Sequence, residues 1–233
     1  MIRFAVFLSS LLCGLGAFAQ DAGGKLRLRS VLHDPLSPQA DLYVQDEKGA
    51  LVPLYLALEG LTEAQNVRIT NGKLQLFDSA EYDPEKPLEH LAASVTVPER
   101  TNRAIAFLFP AGEGAKLPYR ILMLPDDSGA FGKGESRVIN MTPLAMAMKA
   151  GEHNVKLPSG KVAEVPKVTK LNDLNQAHTS FYRKGEGETE WILIAERPMQ
   201  FDNSIRNIVL VYPMPNTGIP RLRTIIDHEL AAE

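Results

Sequence analysis

The sequence predicts an all-β fold, an antiparallel β-sandwich built either as one large unit or as two tandem β-units. Three observations predict it. Apolar and polar residues alternate with a period of two along much of the chain. β-Branched and aromatic residues gather in short runs. Those runs are punctuated by turn formers, with 17 glycines and 16 prolines among 233 residues.

Taken in order, the run Lys25 to Leu32 sets Leu26 and Leu28 against Lys25, Arg27 and Arg29, the pattern of a strand with one wet face. Asp41 to Val44 is a second strand, and Val52 to Gln65 mixes periods, predicting a strand followed by a helical turn. Asn71-Gly72 between Asn66 to Thr70 and Lys73 to Phe77 predicts a type I′ hairpin, which pairs Ile69 with Leu74 and Val67 with Leu76. Asp78 to Pro87 is an acidic loop, and Leu88 to Ala93 and Leu171 to Ala177 each predict two helical turns.

Four later runs are apolar on both faces: Ala104 to Phe109, Ile121 to Leu124, Trp191 to Ala195 and Ile208 to Tyr212. Such runs predict central strands covered on both sides. Further strands are expected at Ala93 to Val97, Ser136 to Met141, Ala145 to Lys149, Asn154 to Leu157, Lys161 to Val165, Thr179 to Arg183 and Ile219 to Ile226. The total comes to about 13 to 15 strands, a number suited to a sandwich or a tandem pair.

Residues 1–19 read as a secretory signal. Met1, Ile2 and Arg3 form a short basic start, Phe4 to Leu15 an apolar run, and Ala17-Phe18-Ala19 a small-x-small site before Gln20. The run falls short of the roughly 20 residues that span a bilayer, so no stable membrane span is expected after cleavage. The expected location is periplasmic or secreted. Cys13 is the single cysteine and leaves with the signal, so the exported chain must hold without disulfides. Leu12 precedes it where a lipid-attachment box carries a small residue.

With 25 basic and 28 acidic residues the chain is mildly acidic and carries no run of basic residues, which disfavours a nucleic-acid partner. The segment "PDDSGAFGKGE" around Asp126 to Gly134 is the best linker, dividing the chain into units 20–126 and 135–233 that may equally form one continuous domain. A short internal match suggests the division, with a chance match as the alternative because strands ending at proline are common in all-β proteins. Arg29-Ser30-Val31-Leu32-His33-Asp34-Pro35-Leu36 resembles Arg137-Val138-Ile139-Asn140-Met141-Thr142-Pro143-Leu144, each a basic-led strand closing on Pro-Leu.

The stretch "FGKGESRVINMTPLAMAMKAGEHNVKLPSGKVAEVP", Phe131 to Pro166, resembles a segment of secreted bacterial all-β proteins of unknown function. The opening "SVLHDPLSPQADLYV" is similar to the first hairpin of immunoglobulin-like modules in cell-surface proteins. Together these imply an immunoglobulin-like sandwich in the cell envelope and no particular activity.

Motifs with chemistry are sparse. His33, His90, His153, His178 and His228 form no H-x-H or H-E-x-x-H spacing, and no G-x-S-x-G occurs. Asp78, Glu81, Asp83 and Glu85, and separately Asp126-Asp127, read as solvated loop acids. Met146 and Met148 share one face of an alternating strand with His153 nearby, a soft donor set suited to Cu(I), set against the plainer reading of a core-facing stripe. Tyr182, Trp191 and Tyr212 are candidate ligand-binding aromatics, with core packing as the alternative. Asn140-Met141-Thr142 reads as strand-end polarity rather than a glycosylation site.

No catalytic residues and no cofactor are expected. The sequence points to a non-catalytic exported envelope protein serving adhesion, surface assembly or a periplasmic accessory role, with an envelope protein or glycan as partner. A carbohydrate-binding module is the alternative, and a hydrolase with a discontinuous site a weaker one.

Overall fold

A computed structural model of the chain describes residues 24–32 and 41–228, apart from 59, 82, 84, 87, 112, 113, 215 and 216. The segment read as a signal, with Cys13, and also His33, lie outside the described residues. Sixteen strands follow one another: β1 Gly24–Leu32, β2 Tyr43–Gln45, β3 Leu51–Pro53, β4 Gln65–Ile69, β5 Lys73–Phe77, β6 Leu91–Thr96, β7 Arg103–Pro110 and β8 Tyr119–Pro125, then β9 Ser136–Asn140, β10 Ala145–Ala150, β11 His153–Leu157, β12 Val162–Val165, β13 Gln176–Lys184, β14 Ile192–Gln200, β15 Arg206–Pro213 and β16 Pro220–Asp227. Among the described residues there is no helix.

The strands form four sheets of four, ordered β4-β1-β7-β8, β3-β2-β5-β6, β12-β9-β15-β16 and β11-β10-β13-β14. Adding eight to each strand of the first two sheets gives the last two. The chain is therefore two tandem sandwiches of one topology, β1 to β8 and β9 to β16. Within each, every ladder is antiparallel except one, β1 with β7 and β9 with β15.

The pairing registers align the two units residue by residue. Arg29 lies opposite Ile105 and Arg137 opposite Ile208, so the match of Arg29 with Arg137 seen in the sequence is the structural equivalence. Arg103-Ala104-Ile105 to Pro110 then corresponds to Arg206-Asn207-Ile208 to Pro213, and Tyr119 to Asp126 corresponds to Pro220 to Asp227.

Each sandwich closes over its own core. Leu26, Leu28, Val67, Leu74, Leu76, Ala104 and Leu108 fill the first, and Met146, Met148, Val155, Leu157, Phe181, Val209 and Val211 the second. A third core lies between the units. Val31, Ile105, Phe107 and Phe109 from the first unit meet Ile139, Ile208, Leu210 and Ile225 from the second, with Phe131 of the connecting segment among them. Full burial of such side chains stabilises by about 1.5–3 kcal/mol each, so this layer binds the sandwiches together. It also explains why β7 and β15 are apolar on both faces: one face serves a sandwich core and the other the seam.

The polar centre of the seam is an ion cluster. Arg29 donates to both carboxylate oxygens of Asp227 at 2.9 Å. Arg206 reaches Asp126 at 2.6 Å, Asp227, and the Phe131 carbonyl at 2.9 Å, while its guanidinium lies 4.6 Å from the Phe131 ring centre. All four charged residues are buried, and the charges balance. The segment read as a linker is thus fixed at both Asp126 and Phe131.

The Asn71-Gly72 turn forms, with φ of 51° and 70° and a Thr70 to Lys73 bridge. The expected ladder beyond it does not. Ile69 pairs with Gly24 and Leu74 with Val95, because β4 and β5 part into different sheets directly after the turn. Val67, Ile69, Leu74 and Leu76 still point into one core, which both sheets share.

The helical turns expected at Leu88 to Ala93 and Leu171 to Ala177 are instead the lead-in to β6 and an Asx-type turn, in which Asn172 accepts from the Leu174 and Gln176 amides. Two strands expected at sheet centres are edges. β8 is covered by the seam on its second face, and β14 is not.

Candidate functional site

Met146 and Met148 are each 1 % exposed and sit in the second core against Val155, Leu157 and Phe181, so their thioethers face inward. His153 closes the β10–β11 hairpin opposite Ala150, with Nε2 2.9 Å from the Lys167 carbonyl. The three share a hairpin, but the methionines are turned into the core row, with the Ala150–His153 pair at its end. Among the described residues no group of three His, Cys, Asp or Glu is placed to hold a metal. Asn140 is fully buried, its Nδ2 donating to the carbonyls of Leu144 and Leu157.

The aromatic trio divides. Tyr212 packs at the seam, opposite Arg221. Tyr182 lies opposite Leu193 on one side and Ala147 on the other, which places all three on the outer face of the β11-β10-β13-β14 sheet. A bulge between Phe181 and Tyr182 brings Ile194 and Ala195 together against the core and shifts the register that precedes them. By alternation Trp191, one residue before β14, joins Tyr182 and Leu193. Ala145 and Ala147 keep this face low, and Lys149, Lys156 and Glu196 edge it.

Trp191, Ile192 and Leu193 are 41 %, 42 % and 49 % exposed, three successive large apolar residues at the head of an unpaired edge. Farther along the same strand, a polar cluster escaped the sequence reading. His178 Nε2 stands 2.5 Å from Glu196 Oε1, and Ser180 Oγ is 3.0 Å from that oxygen and 3.4 Å from that nitrogen. The hydrogen bond from His178, followed by that from Ser180, holds Glu196 below the usual carboxylate range. A nucleophile relay needs the carboxylate and the hydroxyl on different ring nitrogens. Here both address Nε2, so the cluster is a surface hydrogen-bond network.

Among the described residues, the second unit carries two hollows of note. One, of about 260 Å³, is bordered by Lys167, Thr169, Leu171, Asn175, Phe201 and Asp202. The other, of about 430 Å³, runs between the free edges of β14 and β16 and is lined by Ile194, Ala195, Arg197, Ile219, Pro220, Arg221 and Leu222. Arg197 lies over the Phe181 ring at 6.0 Å and donates to Thr224 Oγ1 at 2.6 Å across the opening.

Fold and surface together define the class: an all-β tandem sandwich, fused by a buried seam, whose second unit carries an apolar open edge. No family model and no curated protein matches the chain. Among solved structures, the chain is similar to a crystal structure of a DUF3823 family protein from Bacteroides ovatus at 14 % identity, covering 76 % of this chain and 100 % of that one, with a TM-score of 0.19. At that score the likeness carries no argument, and the fold rests on the strand order itself.

Proposed function

We propose that the protein is a non-catalytic, exported envelope module for adhesion, surface assembly or a periplasmic accessory role, binding a protein partner through the β14 edge. The observation that carries the reading is the exposed run Trp191-Ile192-Leu193 on a strand with an unpaired edge. Exposed apolar residues beside free backbone donors and acceptors are a template for pairing, which proteins ordinarily blunt or cover. The N-terminal signal pattern supports an extracytoplasmic setting.

The test is a photocrosslinking residue at position 193 in the producing cells. One discrete adduct with an envelope protein is expected, absent when the same group is placed at Lys156 on β11, the far edge strand of the same sheet. Adducts that are equal at both positions, or none at either, would overturn the reading.

A second reading, glycan binding, is favoured by one observation: Tyr182 and Trp191 share an outer face edged by Lys149, Lys156 and Glu196, a mixture of ring surface and polar groups that suits a sugar. Glycan-array binding that Trp191→Ala removes and Ile192→Ser spares would replace the protein partner with a sugar.

A further inference from the structure

The two units share one topology, yet they differ at one edge. In the first, β6 and β8 lie against each other, and the inward residues of β8 are Tyr119, Ile121 and Met123, all packed on the first core. Their counterparts on β16 are Pro220, Leu222 and Thr224. A tyrosine ring and a thioether chain have given way to a proline and a threonine. Here a cleft of about 430 Å³ lies between β14 and β16, bridged by the Arg197 to Thr224 hydrogen bond.

The cleft is not simply a void. Its walls are apolar, from Ile194, Ala195 and Leu222, and its two charged residues are both arginines, Arg197 and Arg221. Arg197 Nε is buried and has no hydrogen-bond acceptor among the described residues. A buried guanidinium donor left unmatched costs free energy, and a carboxylate is the acceptor that suits it best. β14 is nine residues long and, with β13 on its other side, turns the N–H and C=O groups of alternate residues to the open edge, with Pro198 near its end.

We propose that the β14/β16 cleft is a strand-acceptor site for an extended, acidic-apolar segment of a partner polypeptide. The segment adds to β14 as a further strand, places alternate apolar side chains where the first unit keeps Tyr119 and Met123, and sets a carboxylate on Arg197. This rests on the β14 edge being the partner surface and adds to it the partner's chemistry.

The test is selection of a displayed library of random nonapeptides on the full exported chain. Enrichment of peptides with Asp or Glu alternating with apolar residues is expected. Their affinity should fall at least about tenfold in Arg197→Gln, the size expected for losing one hydrogen bond to a charged group. It should fall similarly in Pro220→Tyr, which restores the first unit's residue at a position lining the cleft and narrows it without removing a charge. A proline at the centre of an enriched peptide should abolish binding. Acidic peptides indifferent to both variants, or no enrichment over a control protein, would overturn the assignment. Acid-free peptides that depend on Leu193 would overturn it too, while leaving β14 as the partner edge. An adduct from position 193 with no peptide enrichment would separate the two readings in the same way.

Discussion

Arg29 and Asp227, 198 residues apart in sequence, form a two-pronged ion pair with both hydrogen bonds at 2.9 Å. Arg29 belongs to the first strand of the first unit and Asp227 to the last strand of the second. The pair ties the two ends of the fold, and Arg206 joins it to Asp126. Burial raises the Asp227 pKa, but hydrogen bonds and charge from Arg29 and Arg206 outweigh it and hold the carboxyl below its ordinary value. A group depressed in this way stabilises the fold above its unfolded pKa, and the contribution is lost as pH falls through the folded value. Asp227→Ala leaves two buried guanidinium groups short of charge and should cost about 3–5 kcal/mol in urea denaturation. The acid limb of the stability profile should flatten in the same variant.

Phe131 lies beneath both Arg206 and Arg137, with guanidinium carbons 4.6 and 5.0 Å from its ring centre. It is fully buried in the seam although it belongs to the segment connecting the units. Phe131→Ala should therefore cost about 3–5 kcal/mol. The denaturation curve should change from one transition to two as the sandwiches lose their common layer, read by the Trp191 fluorescence of the second unit against far-UV circular dichroism of both.

Met146 and Met148 fill the second core. Exchange of either for leucine conserves volume and should cost less than about 1.5 kcal/mol, whereas alanine should cost about 2–5 kcal/mol. Cu(I) titration of the parent should give no tight complex that Met146→Leu plus Met148→Leu removes. A complex lost in that double variant would show that the hairpin opens to present its thioethers.

Glu152 accepts from the Thr169 hydroxyl at 2.6 Å and its amide at 2.8 Å, and these bonds draw its pKa down to about 2. The sign is that of a depressed carboxylate: the tie between the β10–β11 turn and residues 169–170 persists above the ordinary glutamate range and is lost as pH falls toward 2. NMR titration of the Thr169 amide should follow that low value, and Glu152→Gln should move the amide at neutral pH.

Much of the fold was legible in the sequence because strand periodicity is local. Alternation located nearly every strand and Asn71-Gly72 located its turn, while the short match of Arg29 with Arg137 became a duplication only through the sheet order and registers. What alternation lacks is the identity of the second covering layer. Ile121 to Leu124 and Trp191 to Ala195 read alike, yet the first is an edge sealed by the seam and the second an edge left open. Pro198 was the available signal, since proline within a strand belongs at an edge. The candidate site was legible only in part. Trp191 and Tyr182 were named in advance, but Arg197, Thr224 and the His178-Ser180-Glu196 network come together across separate strands and have no shared spacing.

The sequence by itself determined the all-β class and the turn chemistry, since each depends on residues within a few positions of one another, and it left one unit or two open. The tertiary structure alone decided how the chain crosses between sheets after Gly72, which apolar faces meet in the seam, and that Asp126 and Asp227 are buried partners of arginines. It also decided that the second unit's edge stays open. Pro220 and Thr224 stand there where the first unit has Tyr119 and Met123, and such a difference in volume acquires meaning only when the facing strand is in place.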